Sequence, residues 1–350
     1  MAFLDTVSGC FRHRIGKRRK TLPHTSVMRR AGLSSAFASV MLCVMLAGCG
    51  STSTAEIPVG TPVENMVDPT SIEWPLVITS ASLPAVTPVI EASSRQSPAR
   101  IVTLATGAGE LIAAMGAGDQ VVGRDETSSA PQIKSAPIVT KAHQVSAEQV
   151  LALTPDLVII DSATGPVEVL DQIRASGIRV EMLPDTWTVA DMALRIDALG
   201  GFLGLSASNI ALAQESLIPS VPDTSTVGPR VAFLYLRGPS SIYLLGGEGS
   251  GADALIEAAG GVDVGAEAGY EPFTPLTAEA LIAAAPDVLL VMTEGLASVG
   301  GVDGLRALPG VAQTPAGASG RVIAVDDTVL LSFGARTGAL IENLRTGLAR

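Results

Sequence analysis

A chain of 350 residues with a formal net charge of −11 and 47% hydrophobic residues is long enough for more than one buried core. It is too acidic for a nucleic-acid partner, whose phosphates require a basic surface. With only three cysteines and three histidines, it has little material for a disulfide framework or for acid–base catalysis.

Eight arginines and lysines between Arg12 and Arg30 precede an almost uncharged stretch, Ala31 to Gly48, which is the charge asymmetry of an export signal. The stretch ends in Leu46-Ala47-Gly48-Cys49, which resembles the lipobox of bacterial lipoproteins. That resemblance implies cleavage before Cys49 and a diacylglycerol thioether on it, and stable anchoring needs more than one acyl chain. The alternative is an uncleaved membrane anchor, because the run is nearly long enough for a span. Either way the domain is placed on the extracytoplasmic face of the membrane. Arg29-Arg30 leaves the export route, Sec or twin-arginine, open. Removing residues 1–48 takes away Cys10, Cys43, His13 and His24, so His143 is the one histidine that remains and the domain is expected to fold without a disulfide.

Residues 49–99 are rich in Ser, Thr, Pro and Val with little periodicity, and are read as a tether. Order is expected from Arg100-Ile101-Val102-Thr103-Leu104, a β-rich run followed by Gly107, Gly109 and an apolar helix pattern through Met115. Further buried strands are predicted at 157–160, 180–183, 231–236, 288–292 and 322–325. Strands alternating with helices imply α/β architecture, with parallel sheets covered on both faces.

A repeat divides the chain. Ser146 to Ile160 (SAEQVLALTPDLVII) aligns without gaps on Thr277 to Val291 (TAEALIAAAPDVLLV), each copy a capped helix, a Pro-Asp turn and a buried strand. A second pair, Glu110 to Gly116 and Ala254 to Gly260, lies ahead of each copy. Two lobes of related design follow, over residues 100–187 and 229–350. Between them residues 188–218 read as one long connector helix, a stiff bridge ended by Pro219 and Pro222. Gly200, Gly201 and Gly204 weaken it and leave a break into two shorter helices open.

The Pro-Asp repeat, the connector and the segment Gly246 to Gly261 (GGEGSGADALIEAAGG) resemble the helix-linked class of periplasmic binding proteins, over essentially all of residues 100–350. The resemblance implies two Rossmann-like lobes and a ligand held between them for an ABC importer, meaning a permease with its ATPase. Within the class, residues 121–128 (VVGRDETS), Tyr235-Leu-Arg237-Gly238 and residues 332–337 (SFGART) are most similar to the haemin-binding lipoproteins. Haem is then the transported ligand, with a ferric siderophore or cobalamin as the alternative cargo.

The site residues follow from this frame. His143 lies in a loop just before the first repeat helix, and loops at strand ends face the crevice where ligands bind in doubly wound folds. Tyr235 ends a predicted strand, with Arg237 two positions on and so on the same face. A neighbouring guanidinium favours phenolate, a hard donor for ferric iron. The resemblance implies that His143 and Tyr235 ligate the iron from opposite lobes. Tyr243 and Tyr270 are the other tyrosines considered, Tyr270 as a hydrogen-bonding or stacking residue. Arg124, Arg237 and Arg336 are candidates for the two propionates, and Met292, Leu330 and Phe333 for porphyrin contact or core. Glu148 and Glu279 hold matching first-turn places in the two repeat helices and suit the helix dipole. In the resembled family such glutamates meet arginines of the permease. Gly107-Ala-Gly109 is half of a dinucleotide fingerprint without its third glycine, and no Gly-x-Ser-x-Gly elbow, Walker loop or zinc spacing is present.

Overall fold

The structure, a computed structural model, describes residues 73–91, 98–141, 144–221, 228–236, 238 and 243–349. The export segment, Cys49, His143 and Arg237 lie outside the described residues. No helix among the described residues is long and apolar enough to cross a membrane.

In chain order the strands are β1 (Leu76–Ile78), β2 (Ile101–Thr103), β3 (Val121–Arg124), β4 (Thr140–Lys141), β5 (Gln144–Val145), β6 (Leu157–Ile160) and β7 (Arg179–Met182). They continue with β8 (Arg230–Leu236), β9 (Tyr243–Leu245), β10 (Val262–Asp263), β11 (Thr274–Pro275), β12 (Val288–Met292) and β13 (Val322–Val325). The N-terminal lobe is built on a four-stranded parallel sheet of order β3-β2-β6-β7. Its central strands β2 and β6 are buried throughout, because helices cover both faces and every side chain on these strands must be apolar or satisfied. The C-terminal lobe has a seven-stranded sheet of order β1-β13-β12-β8-β9-β11, with β10 also on β8. There β1, β13, β12 and β8 are mutually parallel, while β9 runs antiparallel to β8 and β11 antiparallel to β9.

Two expectations are corrected. The tether is shorter than 49–99, because β1 forms the edge of the C-terminal sheet, pairing in parallel with β13 through Leu76↔Ile323 and Ile78↔Val325. The chain then runs on as a strap between the lobes: Leu83 is buried in the C-terminal core, and Val86 and Ile90 in the N-terminal core. These few apolar residues, spaced irregularly among Ser, Thr and Pro, carry no periodicity, so the segment reads as linker although it is core. The connector is not one helix either. Helix α4 (Met192–Phe202) folds back on α5 (Ala207–Leu217), and the Gln214 side chain reaches the Ala193 carbonyl at 3.0 Å. Gly200 is what permits this, since a side chain there would overlap Ile210. Val189 and Met192 pack in the C-terminal core, whereas Ile196 and Leu199 pack in the N-terminal one.

The duplication is real at the level of single hydrogen bonds. Helices α2 (Ala147–Ala152) and α8 (Ala278–Ala284) follow N-caps Ser146 and Thr277, whose hydroxyls accept from Gln149 N and Ala280 N. Each copy then places a non-glycine residue, Thr154 or Ala285, in the left-handed region at φ +44°. After it, Asp156 accepts from Arg100 N at 2.9 Å, and Asp287 accepts from Arg230 N at 2.9 Å. The two arginines answer by donating from Nε to the carbonyls of Thr154 (3.1 Å) and Ala284 (3.1 Å). The Pro-Asp turn thus locks the start of one strand to its neighbour, once in each lobe.

Candidate functional site

The carboxyl ends of both sheets are turned toward one another. Gly107, just past β2, abuts the Ser332 carbonyl of the loop after β13 so closely that no side chain would fit. This is the place where open parallel sheets bind ligands.

On the N-terminal side the strand ends are stiffened by buried polar bonds. Asp161 accepts from Thr106 N (2.8 Å), Ala163 N (3.2 Å) and Thr164 Oγ1 (2.6 Å). Arg195 of α4 is buried and donates to the Thr106 carbonyl and to Thr186 Oγ1. Burial lowers its pKa, and the carboxylates of Asp161, Asp125 and Asp185 oppose that fall. Burial raises the Asp125 carboxyl, although bonds from Ser128 and Thr127 work against the rise. This network was missed in the sequence; a single arginine on the apolar stripe Met192, Ile196, Leu199 is the signal that could have found it. The hairpin β4–β5 is rooted on the same end of the sheet: Val145 N donates to the Gly165 carbonyl at 2.8 Å, beyond β6. His143 belongs between these two paired strands in sequence, outside the described residues.

On the C-terminal side Tyr235 is half-buried at the end of β8. Phe273 meets its ring edge-to-face, centroids 5.4 Å apart. Leu244 is paired with Tyr235 across β9, Met292 continues the adjacent β12, and Leu331 follows β13. All are half-buried, and Tyr235, Phe273, Met292 and Leu331 pack against the same buried core cluster. The result is an apolar floor holding one phenol, a surface suited to a flat, largely apolar ligand with a metal or polar centre.

The other tyrosines are not brought to it. Tyr243 is buried on the opposite face and donates to the Pro309 carbonyl at 2.7 Å; burial and then the Glu279 charge push its pKa up. Tyr270 packs against that opposite face too. Leu330 and Phe333 are core residues, fully covered. Arg124 spends its guanidinium on backbone carbonyls, including Ala136 (3.0 Å) and Ser128 (3.0 Å), and so staples the loop after β3 instead of standing at a rim. Arg336 is likewise committed: it is buried in an ion pair with Glu110 and donates to Ser80 O (2.7 Å), Ser80 Oγ (2.8 Å) and Ser129 Oγ (3.0 Å). Glu110 gave no sequence signal as its partner, because 226 residues separate the two. Glu148 and Glu279 are exposed in the first turns of α2 and α8.

A profile of the periplasmic binding protein family matches residues 101–329. This chain belongs to that family. It is similar to the substrate-binding lipoprotein YvrC of Bacillus subtilis, 27% identical over 49% of this chain and 51% of the relative, about half of the relative's length. It is also similar to the vitamin B12-binding protein of Vibrio campbellii, 25% identical over 60% of this chain and 77% of the relative. Among solved structures, haem-binding protein HmuT is 34% identical with a TM-score of 0.69, covering 78% of this chain and 97% of HmuT. Haem-binding protein RhuT of Roseiflexus sp. RS-1 is 41% identical with a TM-score of 0.67, covering 72% and 98%. Similar structures include HmuT variants in which a tyrosine, a histidine or an arginine is replaced.

Proposed function

We propose that this periplasmic binding protein captures haem between its lobes and delivers it to an ABC permease and its ATPase, held to the membrane by a lipid on Cys49. The observation that carries this reading is Tyr235, set at the carboxyl end of β8 in a half-buried apolar floor of Leu244, Phe273, Met292 and Leu331. A phenol there is a donor for ferric iron, and the apolar residues suit a porphyrin face. His143, between strands rooted on the opposing lobe, supplies the second axial ligand. The comparisons support the same choice: HmuT is known with tyrosine and arginine variants two positions apart, as Tyr235 and Arg237 are here. With Arg124 and Arg336 engaged elsewhere, Arg237 is left both to favour the phenolate and to meet a propionate.

Haemin titration of the domain tests the reading. A Soret band saturating at stoichiometric haemin is expected, and Tyr235→Ala and His143→Ala should each shift it. Phenolate is the stronger donor to ferric iron, so Tyr235→Ala should lose more affinity than His143→Ala, and more than the roughly 10- to 100-fold typical of removing an outer-sphere partner. Unchanged spectra in both variants would refute the ligand pair. Cobalamin is the second reading, favoured by the vitamin B12-binding relative; saturable binding of cyanocobalamin without haemin binding would select it.

A further inference from the structure

Phe273 has a backbone that a phenylalanine rarely adopts, with φ at +57°. A bulky side chain in the left-handed region is strained, and glycine would take the same backbone freely. The surroundings over-determine it. Thr274 and Pro275 are paired to Leu245 and Leu244 in the sheet, and Thr274 Oγ1 donates to the Glu271 carbonyl at 2.7 Å. Glu248 N donates to the Tyr270 carbonyl at 3.1 Å. A side chain on Gly247 would collide with the carbonyls of Tyr270 and Glu271. Residues 270–275 are therefore pinned at both ends against β9 and the glycine turn that follows it.

The pinned ring meets Tyr235 and Phe233. It stands edge-to-face against Tyr235 at 5.4 Å and 70°, and against Phe233 at 6.4 Å and 73°. Phe233 is fully buried and Tyr235 is half-buried, so Phe273 links a fixed core ring to the ring at the crevice. Phe333 offers a contrast. Its φ is +45°, but its ring is wholly buried in the core, and packing alone accounts for it.

We infer that Phe273 is a positioning residue: it holds the Tyr235 ring in the one orientation that presents the phenol oxygen to a ligand in the crevice. This rests on the reading of Tyr235 as the iron donor. A free phenol ring turns about two side-chain bonds, and an edge-to-face neighbour on a rigid backbone removes that freedom before the ligand arrives. The benefit falls on the lifetime of the iron–phenolate bond, with encounter left unchanged.

The test is stopped-flow haemin binding to the domain, with the phenolate-to-iron charge-transfer band and its resonance Raman modes as a second readout. Phe273→Ala should bind haemin at nearly the wild-type association rate, release it roughly three- to tenfold faster, and show a weakened, broadened charge-transfer band. Phe273→Leu keeps the apolar bulk, covers the case in which Phe273→Ala fails to fold, and should show the same band defect. Phe273→Tyr restores a ring and should restore both readouts. A wild-type band and release rate in Phe273→Leu, alongside a changed band in Tyr235→Phe, would overturn the inference and leave the ligand reading standing. An unchanged band in Tyr235→Phe would overturn the ligand reading and the inference together.

Discussion

At the scale of the residue, what decides a side chain's role is which face and which partners the fold gives it. Asp263 shows this through its proton. It ends β10, caps the short helix α7 (Val264–Glu267) by accepting from Ala266 N at 2.7 Å, and leaves Oδ2 buried without a partner. Burial first, and the Asp253 charge to a smaller degree, raise its pKa from 3.8 to about 6. The folded chain therefore holds this proton more tightly than the unfolded one does. Its contribution to stability is full below pH 4 and is lost as pH rises through about 6, a loss of about 3 kcal/mol. Asp263→Asn keeps an acceptor for the cap and removes the charge. Urea denaturation should show the variant gaining on the wild type by about 2 kcal/mol between pH 4.5 and pH 8. An equal difference at the two pH values would show that Asp263 does not carry the linkage. The tyrosines make a related point about legibility. Tyr235 and Tyr243 lie on neighbouring strands that are covered on both faces, so no period-two pattern separates the face of the crevice from the face of the core. The sequence showed three tyrosines in one lobe, and only the register Leu236↔Tyr243 and Tyr235↔Leu244 sorts them.

At the scale of the element, the strands and the repeat were legible because they rest on local patterns. Apolar runs such as LVII and VLLVM, Pro-Asp turns and Ser or Thr caps each act within a few residues. The strap at 79–90 was not, because it depends on a distant contact, β1 against β13; the break between α4 and α5 was left open by Gly200, Gly201 and Gly204, and the close approach of Ile210 to Gly200 decides it. The helices α2 and α8 carry a further consequence. Glu148 and Glu279 are exposed at equivalent first-turn positions on related lobes, so two like charges are offered in a pseudo-symmetric arrangement. For docking on a permease, such a pair acts mainly on association and weakens with salt. Glu148→Ala with Glu279→Ala should leave haemin affinity unchanged and lower uptake by whole cells, with the deficit relative to the wild type shrinking at higher ionic strength. Wild-type uptake at wild-type abundance would remove these glutamates from the docking surface.

At the scale of the whole molecule, the two lobes are joined by more than the connector. The strap crosses between the cores, and beside it Arg336 of the C-terminal lobe binds Glu110 in the first turn of α1 (Ala108–Ile112). Ser80 of the strap and Ser129 of the N-terminal lobe complete the cluster. Ser80 N in turn donates to Asp326 Oδ2 at 3.1 Å. Hydrogen bonds from Thr328 and Ser80, together with the Arg336 charge, outweigh burial and hold that carboxyl below its usual range. Removing one member of a buried pair leaves the other charge without compensation, which costs about 3–5 kcal/mol. Removing both with apolar replacements is far less harmful, because neither desolvated charge remains. Ser80 Oγ and Ser129 Oγ still have each other at 3.2 Å once Arg336 is gone. Urea denaturation of Glu110→Leu, Arg336→Met and the double variant should therefore show strong non-additivity, with the double variant more stable than either single one. Additive losses would mean that the pair does not act as a unit.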